Sequence, residues 1–170
     1  MNLKIYKRLP EVAGVKYGSF NAACFDMSAY ITFQSAVKAY TKTNGLVEIL
    51  ASQDNIGAYI DIPSEWRALI PTGIIMDIPE NHSVRLFPRS GLSTKKGLNL
   101  INCVGIIDSD YNEEVFIPIY NNSQEKIRIY NEDRIAQGEM IFSPQLSIEY
   151  IQERPKQKGN REGGFGSTGI

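Results

Sequence analysis

Residues 114–142 read EVFIPIYNNSQEKIRIYNEDRIAQGEMIF, and this stretch indicates the fold of the chain. Three short runs within it, Glu114–Tyr120, Lys126–Tyr130 and Ile135–Phe142, are rich in Ile, Val, Phe and Tyr. Asparagines at 121, 122 and 131 separate the runs, and asparagine favours turns. Short β-branched and aromatic runs with turn residues at regular intervals are typical of a sandwich or barrel of many strands.

The same pattern continues toward the N-terminus, where Gly73–Ile78 and Ser83–Phe87 are further apolar runs bounded by prolines. Val115–Tyr120 is almost continuously apolar, which predicts a strand buried on both faces, for example at a subunit contact. Ser90–Gly97 is the clearest helix signal, of one or two turns at most, with Ser90 as a candidate N-cap and Gly97 closing the C-terminus. Phe33–Leu50 fits either a short helix or a loop excursion. The sequence therefore predicts an all-β domain with one short helix.

Composition bounds the functional class. The chain has 170 residues, a formal net charge of -1, 42% hydrophobic and 22% charged residues, which predicts one globular domain. A near-neutral balance argues against a nucleic-acid coat or a polybasic membrane anchor. We expect no signal peptide and no membrane span, because no apolar run is long enough. Cys24 and Cys103 form no CxxC pair and His82 is the single histidine, which predicts free thiols in a reducing cytoplasm and no zinc site.

The end of the chain, residues 156–170, reads KQKGNREGGFGSTGI and allows two interpretations. Its composition is typical of a disordered tail. Alternatively, it is a phosphate-binding arm, because glycines let a backbone approach a ligand closely and Arg161 with Ser167 and Thr168 adds phosphate donors.

Two internal segments carry candidate chemistry. Arg89 and Ser90 stand where a strand meets the predicted helix, a position that suits an anion but also suits a solvated turn. Asp108 and Asp110 alternate after an apolar run. On a strand they would share one face and could provide a general base, whereas in an Asp-rich turn they would be structural.

Two further segments leave alternatives open. Asp26 lies among apolar residues and is either a buried, paired carboxylate or an exposed strand residue. Arg134 and Gln137 flank the start of a strong β-run, where Arg134 could instead form an ordinary surface pair with Asp133.

The order of these segments resembles one family. PTG, IPEN, FPRSGLSTKKG, NCVGIIDSDY, DRIAQ and GGFGSTG follow one another from Pro71 to the C-terminus, as in the trimeric deoxyuridine triphosphatase (dUTPase) family. The first sixty residues resemble it less, with ACFDM in place of the first motif. The resemblance implies a β-barrel or jelly-roll domain over residues 1–155, a homotrimer with shared active sites, and an arm over 156–170 that closes the site.

The resemblance also implies the reaction. Water attacks the α-phosphorus of dUTP, with Mg²⁺ on the triphosphate, and gives dUMP and pyrophosphate, which limits uracil in DNA and supplies dUMP for dTTP synthesis. It implies that Asp108 is the catalytic base. Asp26 would help to organise the metal-bound triphosphate through water, with no direct protein ligand to the metal. The other residues matched to the family motifs are Arg89, Ser90 and Gly91 for phosphates, Asn102 and Gly105 for uracil, Tyr111 under the deoxyribose, Gln137 near the nucleotide, Arg134 as support, and Arg161, Phe165, Ser167 and Thr168 in the arm.

The sequence departs from the family pattern at several points. Cys24 replaces a glycine, Asn112-Glu113 replaces Arg-Gly after Tyr111, and Arg161 is one position later than the usual arginine. The 33–62 segment is longer than usual, which predicts an insertion that is either a longer loop or a protein-binding surface. We expect a cytoplasmic dUTPase, or one in the cytoplasm of a host cell if the source is viral. Two alternative functions remain, a dCTP-directed hydrolase or deaminase of the same fold and a regulatory binding protein.

Overall fold

The computed structural model describes residues 2–159, which form fifteen strands and one helix. In chain order these elements are β1 (Lys4–Lys7), β2 (Lys16–Tyr17), β3 (Phe25–Ser28), β4 (Ala36–Tyr40), β5 (Leu46–Leu50), β6 (Ser52–Gln53), β7 (Ala58–Ile62), β8 (Arg67–Pro71), β9 (Ile74–Asp77), β10 (His82–Phe87), α1 (Ser90–Lys96), β11 (Leu98–Leu100), β12 (Gly105–Asp108), β13 (Phe116–Asn121), β14 (Ile127–Tyr130) and β15 (Arg134–Phe142).

Two five-stranded antiparallel sheets dominate the fold. The first has the order β12-β10-β15-β3-β2 and the second the order β11-β13-β8-β4-β5. A three-stranded sheet, β14-β7-β6, and the pair β1-β9 complete the topology. Non-consecutive neighbours in every sheet mean that the chain crosses repeatedly between layers.

Both large sheets contribute to one hydrophobic core. Met27 and Val84 enter it from the first sheet, and Ile70 and Ile117 enter it from the second. All four side chains are almost completely buried, and alternate residues on their strands face outward, as the two-residue strand period requires. The predicted all-β architecture with one short helix is confirmed.

Strand β13 is only partly buried within one chain. Ile117, Ile119 and Asn121 are buried, but Phe116 between them and the preceding loop is 45% exposed. Within one chain the strand is therefore buried on one face, and the prediction that a subunit contact covers its other face stays a prediction.

Helix α1 begins one residue earlier than its predicted cap allows. Ser90 is the first helical residue, and the N-cap position is occupied by Arg89, whose side chain makes no capping hydrogen bond. The prediction for Gly97 is confirmed, since it adopts φ 67° and its N–H donates to the carbonyl oxygens of Leu92 and Ser93. At seven residues α1 is the only helix in residues 2–159, and no helix there is long and apolar enough to cross a membrane.

The segment Phe33–Leu50 is neither a helix nor a loop excursion. It contains the antiparallel hairpin β4–β5, in which Ala36 pairs with Leu50 and Tyr40 pairs with Leu46. Strand β4 also pairs with β8, so tertiary pairing places the hairpin at the end of the second sheet. As the edge strand, β5 leaves Leu46 and Leu50 mostly exposed.

A guanidinium cluster attaches the end of the 33–62 segment to the domain. Arg128 donates from Nε to Asp61 Oδ1 at 2.8 Å and from Nη2 to Asp61 Oδ2 at 3.0 Å. Its guanidinium carbon also lies 3.6 Å from the centroid of the Tyr59 ring. Asp54 accepts from Arg128 at 3.2 Å and from the Tyr130 hydroxyl at 3.0 Å. The hydrogen bonds from Arg128 hold the pKa of the Asp61 carboxyl below its usual range.

Candidate active site

A carboxylate held between two arginines forms the first candidate site. Arg89 Nε lies 3.0 Å from Asp26 Oδ1, and Arg134 Nη1 donates to Asp26 Oδ2 at 2.9 Å. Arg89 Nη1 also donates to the carbonyl of Arg134 at 2.9 Å. Asp26 lies on β3 opposite Gln137 of β15, and Arg89 directly follows the loop after β10. Three distant parts of the sequence thus meet because their strands are neighbours in the first sheet.

These residues line a cavity of about 460 Å³, which we call the anion pocket. Ser90, Gly91, Gln137 and Lys95 also line it, beside Asp26, Arg89 and Arg134. Three cationic side chains therefore face one carboxylate, which gives the pocket a net positive charge suited to phosphate oxygens. Lys95, in the last turn of α1, is a pocket residue that the sequence motifs did not indicate.

Gly91 has a property that points to a ligand. A Cβ placed there would meet nothing within 4 Å, so packing inside the chain does not require a glycine. The residue has no positive φ that would require one either. Because Gly91 borders the anion pocket, its missing side chain leaves the backbone open to a bound group.

Gln137 and Cys24 complete the description of this pocket. Gln137 Nε2 donates to the carbonyl of Pro88 at 3.0 Å, which connects β15 to the loop that carries Arg89. Cys24, which replaces the usual glycine, has no positive φ, so the substitution causes no backbone strain. Burial, and then the charge of Glu139, raise the pKa of its thiol, so the group is neutral near pH 7.

The second candidate site is a smaller cavity of about 190 Å³, which we call the base pocket. Asn102, Gly105 and Tyr111 line it together with apolar residues of β10, β12 and β13. Its volume is below the roughly 300–1,000 Å³ of sites that enclose a whole drug-sized ligand, so it can hold only part of a nucleotide. A Cβ on Gly105 would lie 3.2 Å from Leu86 Cβ, closer than an ordinary van der Waals contact, so glycine favours close strand packing here.

Asp108 lines a separate cavity of about 620 Å³ that shares Ile106 with the base pocket. Ile106 lies two residues earlier on the same face of β12. Among residues 2–159, no side chain pairs with the exposed Asp108 carboxylate. Asp108 is the last residue of β12 and Asp110 lies in the following turn, so the strand alternative holds for Asp108 and the turn alternative for Asp110.

The single chain does not bring all predicted site residues together. The anion pocket and the base pocket share no lining residue. On β10, Asp108 pairs with Ser83 whereas Gln137 pairs with Phe87, four residues further along. At about 3.3 Å per residue this is a separation of roughly 13 Å along the strand.

Two other predictions concern the partner of Arg134 and the C-terminal arm. Arg134 pairs with Asp26 and not with its neighbour Asp133, whose carboxylate accepts from the Tyr130 N–H at 2.9 Å. The surface-pair alternative for Arg134 is therefore wrong. The predicted arm residues Arg161, Phe165, Ser167 and Thr168 lie outside the described residues.

Comparison with known proteins adds independent information. A family model described as dUTPase matches residues 55–169. The deoxyuridine 5'-triphosphate nucleotidohydrolase of Finegoldia magna is 49% identical over 104 residues, which are 61% of this chain and 71% of that protein. The enzyme of the same name from a Hydrogenobaculum species is 39% identical over 105 residues, covering 61% and 72% of the two chains.

Solved structures show the same fold. The Staphylococcus bacteriophage 80alpha dUTPase with dUPNHPP aligns with a TM-score of 0.74 at 20% identity, over 99% of each chain. The Streptococcus mutans dUTPase aligns with a TM-score of 0.61 at 22% identity, over 86% of this chain and 98% of that one. The hairpin β4–β5 precedes the residues matched by the family model.

Proposed function

Since this chain belongs to the dUTPase family, we propose that it hydrolyses dUTP to dUMP and pyrophosphate in the cytoplasm. One observation carries the proposal. The matched residues 55–169 include three groups of different chemistry. Arg89 lines the anion pocket, Asn102 lines the base pocket, and Asp108 has a carboxylate without a side-chain partner in the described chain. A nucleotide hydrolase needs such groups to bind phosphate, to recognise the base and to activate a water molecule.

Asp108 is the proposed general base. Its exposed carboxylate is free to hold a water molecule and to accept a proton from it while the water oxygen attacks the α-phosphorus. The bond between the α-phosphorus and the bridging oxygen then breaks, and pyrophosphate leaves. The base removes one proton, so the remaining catalysis comes from orientation and from stabilisation of phosphate charge.

The anion pocket is the proposed phosphate site. Each guanidinium has five N–H donors, so Arg89 and Arg134 can hold Asp26 and still donate to phosphate oxygens. Ser90 adds a hydroxyl, and Gly91 lets a phosphate approach the backbone. Gln137 would contact the nucleotide from β15.

The base pocket is the proposed uracil site. The Asn102 amide offers both donors and an acceptor, and the strand at Gly105 offers main-chain groups. The Tyr111 ring would pack under the sugar and exclude a 2′-hydroxyl. Because the Asn102 amide can face either uracil or cytosine by rotating, dCTP is the competing substrate that must be tested.

A homotrimer is the proposed working assembly. No residue lines both pockets in one chain, and each complete site would combine the anion pocket of one chain with the base pocket of a neighbour. The exposed outer face of β13 at Phe116 is available for such a contact, and Leu146, Ile148 and Tyr150 alternate on an exposed segment after β15. The glycine-rich arm would close the site, with Phe165 on uracil and Arg161, Ser167 and Thr168 on phosphates.

Magnesium fits this proposal as a partner of the substrate. No group of three or more His, Cys, Asp or Glu side chains in residues 2–159 could hold a metal ion, and both Asp26 oxygens already accept from arginines. Mg²⁺ commonly binds through substrate phosphates and waters with few protein ligands, so Asp26 would contact it only through water. When bound, the ion neutralises part of the triphosphate charge.

A second, protein-binding role has one supporting observation. The edge strand β5 presents Leu46 and Leu50 to solvent on a hairpin outside the family match. Unpaired edge strands are templates for pairing with another chain. Replacing the exposed Leu46 and Leu50 by lysine separates the two roles, because it changes the solvent-facing edge strand while leaving both pockets and the core strand β4 intact.

Pyrophosphate release tests the proposed hydrolysis. We expect purified protein with Mg²⁺ to release pyrophosphate from dUTP and much less from dCTP, dTTP or UTP. Asp108→Asn should lower kcat at least about 100-fold, the usual contribution of a general base, while nucleotide binding persists. Asp77→Asn is the matched control, since it removes an equally charged side chain that pairs only with exposed Lys4. Normal turnover by Asp108→Asn would contradict the assigned role, and no hydrolysis by the wild type would contradict the function.

A further inference from the structure

Glu114 is a buried carboxylate that the proposed mechanism does not use. It is 7% exposed, forms an ion pair with Arg8, and accepts from the backbone N–H of Gly73 at 2.7 Å through Oε1. Buried charges are uncommon unless paired, so these two partners fix the position of the side chain. Arg8 in turn donates its own backbone N–H to the Gly73 carbonyl at 2.9 Å.

The backbone of Glu114 holds the wall of the base pocket. Its carbonyl oxygen accepts from the Tyr111 hydroxyl at 2.9 Å. Residues 111–115 form no strand, so they have no regular ladder of hydrogen bonds to hold them. The next residue, Val115, donates to the Ile74 carbonyl at 2.8 Å and accepts from the Thr72 hydroxyl at 2.7 Å. The loop is therefore anchored to one segment, residues 72–74, and Glu114 supplies its only ionic attachment in the described chain.

The guanidinium that pairs with Glu114 comes from the N-terminal segment of the chain. Positions 112–113, Asn and Glu, depart from the Arg-Gly that the family pattern has after the tyrosine. The cation that reaches Glu114 comes from Arg8, which precedes the residues matched by the family model. The N-terminal segment is therefore part of the support for the base pocket.

We infer that Arg8 is a positioning residue that acts through Glu114 on Tyr111 and so determines how strongly the site rejects ribonucleotides. The inference rests on the proposed function, because it assigns Tyr111 to the sugar. A ring excludes a single hydroxyl only if it cannot move aside, and displacements of about 1 Å can change rates by orders of magnitude. Looser support of Tyr111 should therefore raise kcat/KM for UTP by a larger factor than it lowers kcat/KM for dUTP.

The test compares kcat/KM for dUTP and UTP in matched variants. Arg8→Met removes the guanidinium and keeps an unbranched side chain, Arg8→Lys retains a cation, and Lys4→Met removes an exposed cation from the same segment. We expect the dUTP/UTP preference to fall at least about tenfold in Arg8→Met, to recover largely in Arg8→Lys, and to stay at the wild-type value in Lys4→Met. Thermal unfolding of each variant, measured in parallel, reports stability separately.

Tyr111→Phe provides a second test of the inference if Arg8→Met folds poorly. It removes only the hydroxyl that reaches Glu114, so it should relax sugar preference in the same way, and adding Arg8→Met should produce little further change. An unchanged preference in a folded Arg8→Met or Tyr111→Phe variant overturns this inference alone. A wild-type chain that hydrolyses neither nucleotide overturns the proposed function together with it.

Discussion

Replacing Gly91 by alanine should change stability and activity in opposite directions. The residue is the second of α1, has no positive φ, and has open space where a Cβ would be added. Alanine is better than glycine in a helix by up to about 1 kcal/mol, and less near the helix end, so we expect a gain of about 0.5 kcal/mol. The new methyl group would nevertheless project into the anion pocket.

Activity is expected to fall because the same open space is proposed to receive phosphate. A methyl group at the phosphate contact would displace the substrate, and a loss of about 1.4 kcal/mol in transition-state binding is a tenfold loss in kcat/KM. Urea unfolding and pyrophosphate release measured on the same preparation would report the two effects. Gly14→Ala is the control, because a Cβ there also meets nothing within 4 Å. If Gly91→Ala retained wild-type kcat/KM, the backbone at Gly91 would not contact phosphate.

Two further predictions concern the framework of the site. Gly138→Ala should lower the free energy of unfolding by about 1–3 kcal/mol in urea, the usual cost of overpacking, because the new Cβ would lie 2.8 Å and 2.9 Å from ring atoms of buried Phe25; an unchanged urea midpoint would contradict this. Asp61→Asn should destabilise the protein at pH 7 more than at pH 3. The depressed pKa of Asp61 stabilises the fold above its unfolded value near 3.9, and this contribution is lost as pH falls through the folded pKa. Equal destabilisation at both pH values would show that the Arg128 ion pair contributes nothing.

The sequence predicted elements whose signal is local. Apolar runs bounded by turn residues correspond to β10, β13, β14 and β15, and the glycine that ends α1 is where the pattern placed it. The hairpin β4–β5 escaped prediction because AVKAY and LVEIL contain good helix formers as well as strand formers. Their pairing with β8 decides the outcome, and that contact is not visible in the local sequence.

The sequence indicated which residues belong to the site, but it did not indicate which of them lie next to one another in space. Arg134 has an aspartate next to it in sequence, yet its partner Asp26 lies 108 positions away and is brought close by the β15–β3 pairing. The separation of Asp108 from Gln137 likewise follows from registers along β10. Glu114 gave no signal, because nothing in the sequence relates it to Arg8.

The division of the site residues between two pockets has a genetic consequence. Under the proposed trimeric assembly, a chain with a damaged anion pocket still contributes a sound base pocket, and the reverse holds for a chain damaged at Asp108. Two inactive alleles expressed in one cell would therefore complement each other, since some mixed trimers would contain a site built entirely from undamaged halves. For the same reason a defective subunit would have a partial dominant-negative effect. Each defective chain incorporated into a trimer would disable a site that a wild-type neighbour helps to form.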